Sequence, residues 1–500
     1  MLKKISAVII SALLVFLLCG CDLLNNLTPQ NIPEGMSFDP TDPEVYTLDV
    51  VGTMGEGKSL GMLEERKEPE EITKAANDLL NKILENEDTL KPADNGKYIY
   101  VSNDGDDAND GLTPETPVAN ILKANSLAKS GDVILLNRGD FWRTTIEGKE
   151  GVSYGAYGKG NKPTIYGSID GKKLEWVESE DEENVWVVDV GVSSDIGLIV
   201  FDNGKAFGNR KSKEAEVNKN FNFYYKKRGT ELYFYYDGGN PSEVFENIEI
   251  CPYNTILAVK SNSTVQNLRL MYTGGYGIWA YGGISNTKIQ GCVLGYMGGG
   301  CKPDGGTTRF GNGIELWGRG NGFYVDLCHI YQIYDAGITF QWNNQEGTGD
   351  VSQENIAFTN NLLEYSVYNF EYFLRNSSGA LRNIEISNNI MRYAGYGWGR
   401  LSRPDKSSPA NIKGGATATV ENYVIKNNVF AHGNPSLIGI TNGSKANDAV
   451  FSGNTYVVNK SNSLYKIKYG SKETDFKASN SSGKTAEEIF GDKTGKIIIY

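Results

Sequence analysis

The sequence predicts an all-β fold, a parallel β-helix solenoid with an N-terminal capping helix and a β-rich insertion, and three observations predict it. One pattern recurs seven times: "VQNLRLMY" (265–272), "IQGCVLGY" (289–296), "VDLCHIYQ" (325–332), "FTNNLLEY" (358–365), "ISNNIMRY" (386–393), "IKNNVFAH" (425–432) and "FSGNTYVV" (451–458). The fourth positions, Leu268, Cys292, Cys328, Asn361, Asn389, Asn428 and Asn454, lie 24, 36, 33, 28, 39 and 26 residues apart. An irregular period of this size marks a solenoid, whose units stack because none can bury its own apolar face. A second motif follows the first six copies: "GYGIWAY" (275–281), "GNGIELW" (311–317), "DAGITFQ" (335–341), "VYNFEYF" (367–373), "GYGWGRL" (395–401) and "PSLIGIT" (435–441). Two short strands per coil joined by Gly/Asn turns describe the solenoid. Finally, no 3.6-residue apolar period runs through these copies, which excludes leucine-rich and helical repeats.

Taken in order, residues 1–21 read as a lipoprotein signal. Lys3 and Lys4 precede the apolar "ISAVIISALLVFLL", and "LCGC" closes it. Cleavage before Cys21 would leave that cysteine to carry the lipid, so the expected site is extracytoplasmic, on a bacterial membrane. Residues 22–68 are expected to form a tether, rich in Asn, Pro, Asp and Thr over 22–50. Residues 69–97 hold an amphipathic helix and a lead-in. Pro69 starts the helix, acids fill its first turn, and Ile72, Leu79, Leu80, Ile83 and Leu84 form its stripe. The solenoid is expected over 98–460, interrupted at 171–250 by paired strands, "LEWV" with "VWVVDV". Residues 461–500 form a C-terminal cap with a short helix and the strand "KIIIY".

Residues 98–142, "YIYVSNDGDDANDGLTPETPVANILKANSLAKSGDVILLNRGDFW", and 154–167, "YGAYGKGNKPTIYG", resemble the opening of bacterial carbohydrate-active β-helices. With the repeats, they make the chain similar to the right-handed parallel β-helix proteins of the pectate-lyase-like superfamily, over roughly 98–170 and 250–460. The resemblance implies a helix near 117–129 closing one end, with Ile121, Leu122 and Leu127 facing the first coil. It implies fold rather than reaction, because one fold hosts many chemistries.

The net charge of −12 and the absence of a basic stripe exclude nucleic acid as a partner. The expected partners are a polysaccharide and, through the lipid, a membrane, with the chain itself a monomer. Cys292 and Cys328 share a register on adjacent coils, which allows a disulfide or two small side chains in a ladder. In "DGDDANDG", Asp104, Asp106, Asp110 and Glu115 take positions 1, 3, 7 and 12 of a calcium loop. Ala108 and Asn109 break it at positions 5 and 6, so an Asx-rich turn competes with Ca2+. No metal centre is expected and the chemistry requires no cofactor.

Strand alternation sets the faces of the second motif. Ile278, Ile314, Ile338, Phe370, Trp398 and Ile438 point inward. Trp279, Glu315, Thr339 and Glu371 then point outward, followed two residues on by Tyr281, Trp317, Gln341 and Phe373. Trp342 and Asp335 lie at the edges. Aromatic side chains exposed at this density mark a binding surface, here for sugar rings, unless the 297–310 loop or the insertion covers them. Glu315 and Glu371, two coils apart, have backbones about 9.6 Å apart at the usual strand spacing. Inverting glycosidases hold their two carboxyl groups at a comparable separation. Asp335 is the third acid candidate. A uronate lyase would instead need a base and a cation, for which Arg375, Arg400, Arg403 and Lys413 are available. Arg400 falls at an inward position, where it needs a partner or a bend. Three readings follow: a glycoside hydrolase, a polysaccharide lyase acting on a uronate-containing glycan, and a non-catalytic glycan-binding surface protein.

Overall fold

The computed structural model describes residues 53–54, 58–59, 68–226, 229–303, 306–343, 351–375, 378–403, 409–433, 436–440, 449–458, 465–469, 472–476 and 485–500. Cys21, most of the tether and the side chain of Arg375 lie outside them. The chain is a right-handed parallel β-helix. Three ten-stranded sheets run its length, each built from one strand per coil, and successive coils pair in parallel except for the last pair of one sheet. The coil therefore has three strands, where the motifs suggested two. The first motif straddles a corner: in copy one, strand Thr264–Gln266 ends, Asn267 turns at φ 58°, and strand Arg269–Thr273 begins.

The fourth positions of the motif stack at that corner. Asn361, Asn389, Asn428 and Asn454 form a buried ladder in which each Nδ2 donates to the next Oδ1 or to Asp492 at its end, at 2.9–3.1 Å. Each Oδ1 from Asn389 onward also accepts the backbone N–H of the coil before, so the corner's orphan polar groups are satisfied internally. Cys292 and Cys328 continue the ladder as free, fully buried thiols. The eighth position turns left-handed, with φ 54–61° at Tyr272, Tyr296, Tyr365 and Tyr393. That conformation is uncommon for a bulky residue. Stacking accompanies it, with ring centroids 5.4 Å apart for Tyr272–Tyr296 and 4.9 Å for Tyr365–Tyr393.

The solenoid core stacks like on like. Ile278, Ile314, Ile338, Phe370, Ile412 and Ile438 lie in one register and are fully buried. Trp398 is absent from this row, against expectation. It opens a short helix, Trp398–Ser402, and Ile412 of strand Ala410–Ala416 takes its place. Arg400 lies on that helix, so it occupies no inward strand position.

Helix Glu70–Leu84 lays Ala76, Leu80 and Ile83 on the tyrosine stack. Glu68, just before it, pairs with Arg392, which also pairs with Glu364; Glu364 in turn meets His329 at 3.0 Å. The end helix is Ile121–Leu127, shorter than expected; Ile121 is buried, whereas Leu122 is exposed. The insertion's strands form a five-stranded sheet over a core of its own. In the segment 104–115, the Asp106 and Asp110 carboxylates accept the N–H groups of Ala108 and Leu112, as Asx turns do. Among the described residues, no group of three His, Cys, Asp or Glu could hold a metal ion.

Candidate active site

The outward rows of the sheet running from Ile146–Glu147 to Lys472–Phe476 carry the candidate residues. In-register pairing aligns Trp279, Glu315, Thr339, Glu371 and Lys413 in one row along the solenoid. A second row aligns Tyr281, Trp317, Gln341, Phe373 and Gly415. Sequence alternation placed these residues on one face, and the strands bring them together there.

Depth was not foreseen. Glu315 is only 3% exposed and Glu371 only 7%, on the outward face of the sheet. Carboxylates buried this way resist ionisation. Burial pushes Glu315 up to about 7, with nearby Asp335 adding to the rise; a hydrogen bond from Asn312 Nδ2, 3.1 Å from Oε2, and the charge of Lys302 oppose it. Glu371 is raised well above the ordinary carboxylate value, by burial first, then by Asp335 and Glu315; Arg403 and Thr339 act against the shift. Thr339 Oγ1 donates to Glu371 Oε2 at 3.4 Å.

Asp335 sits in the turn entering the middle strand, and its Oδ1 accepts from Arg403 Nη1 at 2.6 Å. Arg403 also lies over the rings of Tyr334 and Tyr368, at 5.4 and 5.8 Å. This guanidinium is held as a fixed partner of the acid cluster. Of the other lyase candidates, Arg400 is on the 398–402 helix, and Lys413 is the in-register neighbour of Glu371, its stem within 3.3 Å of where a Cβ on Gly439 would be, one coil further on.

Trp279 stacks between Tyr276 and Tyr281. Trp317 meets Trp342 at 6.1 Å, and Trp342 packs on the edge of the core rather than on the floor, because its strand position is of inward parity. Sequence reasoning passed over Tyr276 and Asn312. Both stand three residues before an outward-row residue, Trp279 and Glu315, and that shared spacing was the available signal. Within 297–310, strands Gly300–Cys301 and Arg309–Phe310 pair antiparallel. Asp195 of the insertion pins them, accepting from Cys301 N at 3.0 Å and meeting Arg309 at 3.4 Å.

No family model matches the chain, and no curated protein matches it. Solved structures do resemble it. One, described as the complex structure of XylC with xylose, is 11% identical, with a TM-score of 0.49 over 80% of this chain and 82% of that one. A rhamnogalacturonan lyase is 14% identical, with a TM-score of 0.42 over 76% and 78%. The pectate lyase Pel9A is 13% identical, with a TM-score of 0.37 over 77% and 82%. At these identities the likeness is one of architecture, the parallel β-helix.

Proposed function

We propose that this chain is an extracytoplasmic, lipid-anchored glycoside hydrolase that cleaves a polysaccharide with inversion, Glu371 acting as general acid and Glu315 as general base. The observation that carries the reading is the pair of buried, in-register glutamates separated by Thr339. Their backbones are about 9.6 Å apart at the usual strand spacing, which leaves room for a water between carboxyl groups. Burial, with Asp335 and Glu315 beside it, favours the protonated form of Glu371, which suits the acid role. Glu371 protonates the glycosidic oxygen as the bond to the anomeric carbon breaks. Glu315, which ionises near 7, takes a proton from the water that attacks that carbon. The products are a free reducing end of inverted configuration and an alcohol. Asp335 is a positioning residue: its charge keeps Glu371 protonated, and Arg403 holds it in place.

A uronate lyase is the weaker reading. Elimination needs a cation on the substrate carboxylate, and Arg403 is already engaged by Asp335. The test is a reducing-sugar screen of neutral and acidic polysaccharides on the soluble chain. Glu371→Gln and Glu315→Gln are expected to cut turnover at least about a hundredfold while glycan binding persists. Wild-type kcat/KM should rise as pH increases through about 7, where Glu315 loses its proton. Wild-type turnover in both variants, or an unsaturated uronate product, would overturn the assignment.

A further inference from the structure

The groove is walled at the end nearest Glu315. One coil before Glu315, Tyr276, Trp279 and Tyr281 stack in series across the strand, with ring centroids 5.8 and 5.1 Å apart and planes inclined by 12° and 28°. Tyr253 abuts Tyr276 edge-on at 6.1 Å. The rings cover the floor from the turn side to the outer row, and Tyr281 stands 49% exposed at the outer end. Behind the wall the floor drops. The partner of Trp279 on the preceding coil is Ala258, and Lys260 is tied to Glu147 at 2.5 Å.

The paired strands Gly300–Cys301 and Arg309–Phe310 flank the same end, with Gly300 N donating to the Gly274 carbonyl at 2.8 Å. Lys302 lies 5.1 Å over the Phe310 ring and near enough to Glu315 to act on its charge. In the other direction the first row carries Lys413 beside Glu371 and then Gly439, with the Lys413 stem against Gly439, and the second row drops from Phe373 to Gly415.

In an inverting displacement, water enters on the side of the anomeric carbon opposite the leaving oxygen. A glycan lying along the floor then has the base beside the sugar that loses its bond and the acid beside the part that departs. Glu315 is one coil from the ring wall, and the midpoint at Thr339 is two, about 9.6 Å of floor. That length holds one or two sugar rings and no more chain.

We infer that the enzyme is exo-acting: it removes a short terminal unit from the non-reducing end of a glycan, while the rest of the chain runs out over Phe373 and Gly415 toward the C-terminal coils. This rests on the hydrolase reading and its assignment of acid and base. The probes are oligosaccharides of the polysaccharides in the screen, tagged at the reducing end with 2-aminobenzamide. The tagged chain is expected to shorten by one fixed increment per cleavage, with no other tagged product at early times. Trp279→Ala with Tyr281→Ala removes the wall but keeps both glutamates, and should lose the fixed increment and give internal cuts. An unchanged unfolding midpoint checks that this variant is folded. Internal cutting by the wild type, or a fixed increment retained by the double variant, overturns the inference while leaving the hydrolase reading intact. Failure of the wild type to cleave any probe refutes the hydrolase reading, and the inference with it.

Discussion

At the scale of single residues, chemistry and position separate sharply within one coil. Asn389 is buried and makes four bonds in the ladder. Its Nδ2 donates to Asn428 Oδ1 and to the Phe358 carbonyl, and its Oδ1 accepts from the backbone N–H and Nδ2 of Asn361, all at 2.9 Å. Asn389→Leu removes all four and leaves their partners buried without replacements, so it should cost a few kcal/mol, about 1–3 for each group left unpaired. Lys426 is a control from the next coil: its pair with Glu385 spans 3.0 Å with both side chains 41% exposed, so Lys426→Gln should cost under about 0.5 kcal/mol. Urea unfolding midpoints compare the two, and equal shifts would contradict the register. The ladder was legible because asparagine recurs at a fixed motif position. The depth of Glu315 and Glu371 was not. Parity gives the side of a sheet a residue faces, but what overlies that side depends on the hairpin and the aromatic rows, which come from distant segments.

At the scale of elements, the sequence misled where a turn mimicked a strand. "GYGWGRL" shares the Gly-Tyr-Gly opening of "GYGIWAY", yet Gly395 turns at φ 77° and Trp398 enters a helix. Trp398 is instead buried among side chains on the outer face of a neighbouring sheet, where its Nε1 donates to the Gln332 carbonyl at 2.8 Å. The amphipathic helix was readable from its stripe, but not the ion pairs beside it, because Glu68, Glu364 and Arg392 are 296 and 28 residues apart in sequence. Arg392 is buried between the two carboxylates, and its charge helps hold both below the ordinary carboxylate value against the opposing effect of burial. Arg392→Met would strand Glu364 and Glu68 without their cation. Breaking a buried pair from one side typically costs about 3–5 kcal/mol. The unfolding midpoint should drop accordingly and the helix should become open to proteolysis; an unchanged midpoint would mean that the carboxylates find other partners.

At the scale of the whole molecule, the solenoid and the N-terminal segment divide the work. Strand pairing alone sets the spacing of Glu315 and Glu371, so the proposed acid–base pair needs no mobile element to assemble it. The segment before the helix would then fix where this groove operates. The positive start, apolar run and "LCGC" box together call for lipidation at Cys21, and a tether of 22–68 would let the groove reach an insoluble or polymeric glycan beside the membrane. The thiol is the attachment point in this reading. Cys21→Ala should therefore give a precursor that keeps its signal sequence and takes up no labelled palmitate, with groove chemistry unaltered in the 22–500 chain. Persistent palmitate labelling of the variant, or a mature wild-type N-terminus other than Cys21, would rule out the lipid anchor. The protein would then act free of the membrane, with the same groove.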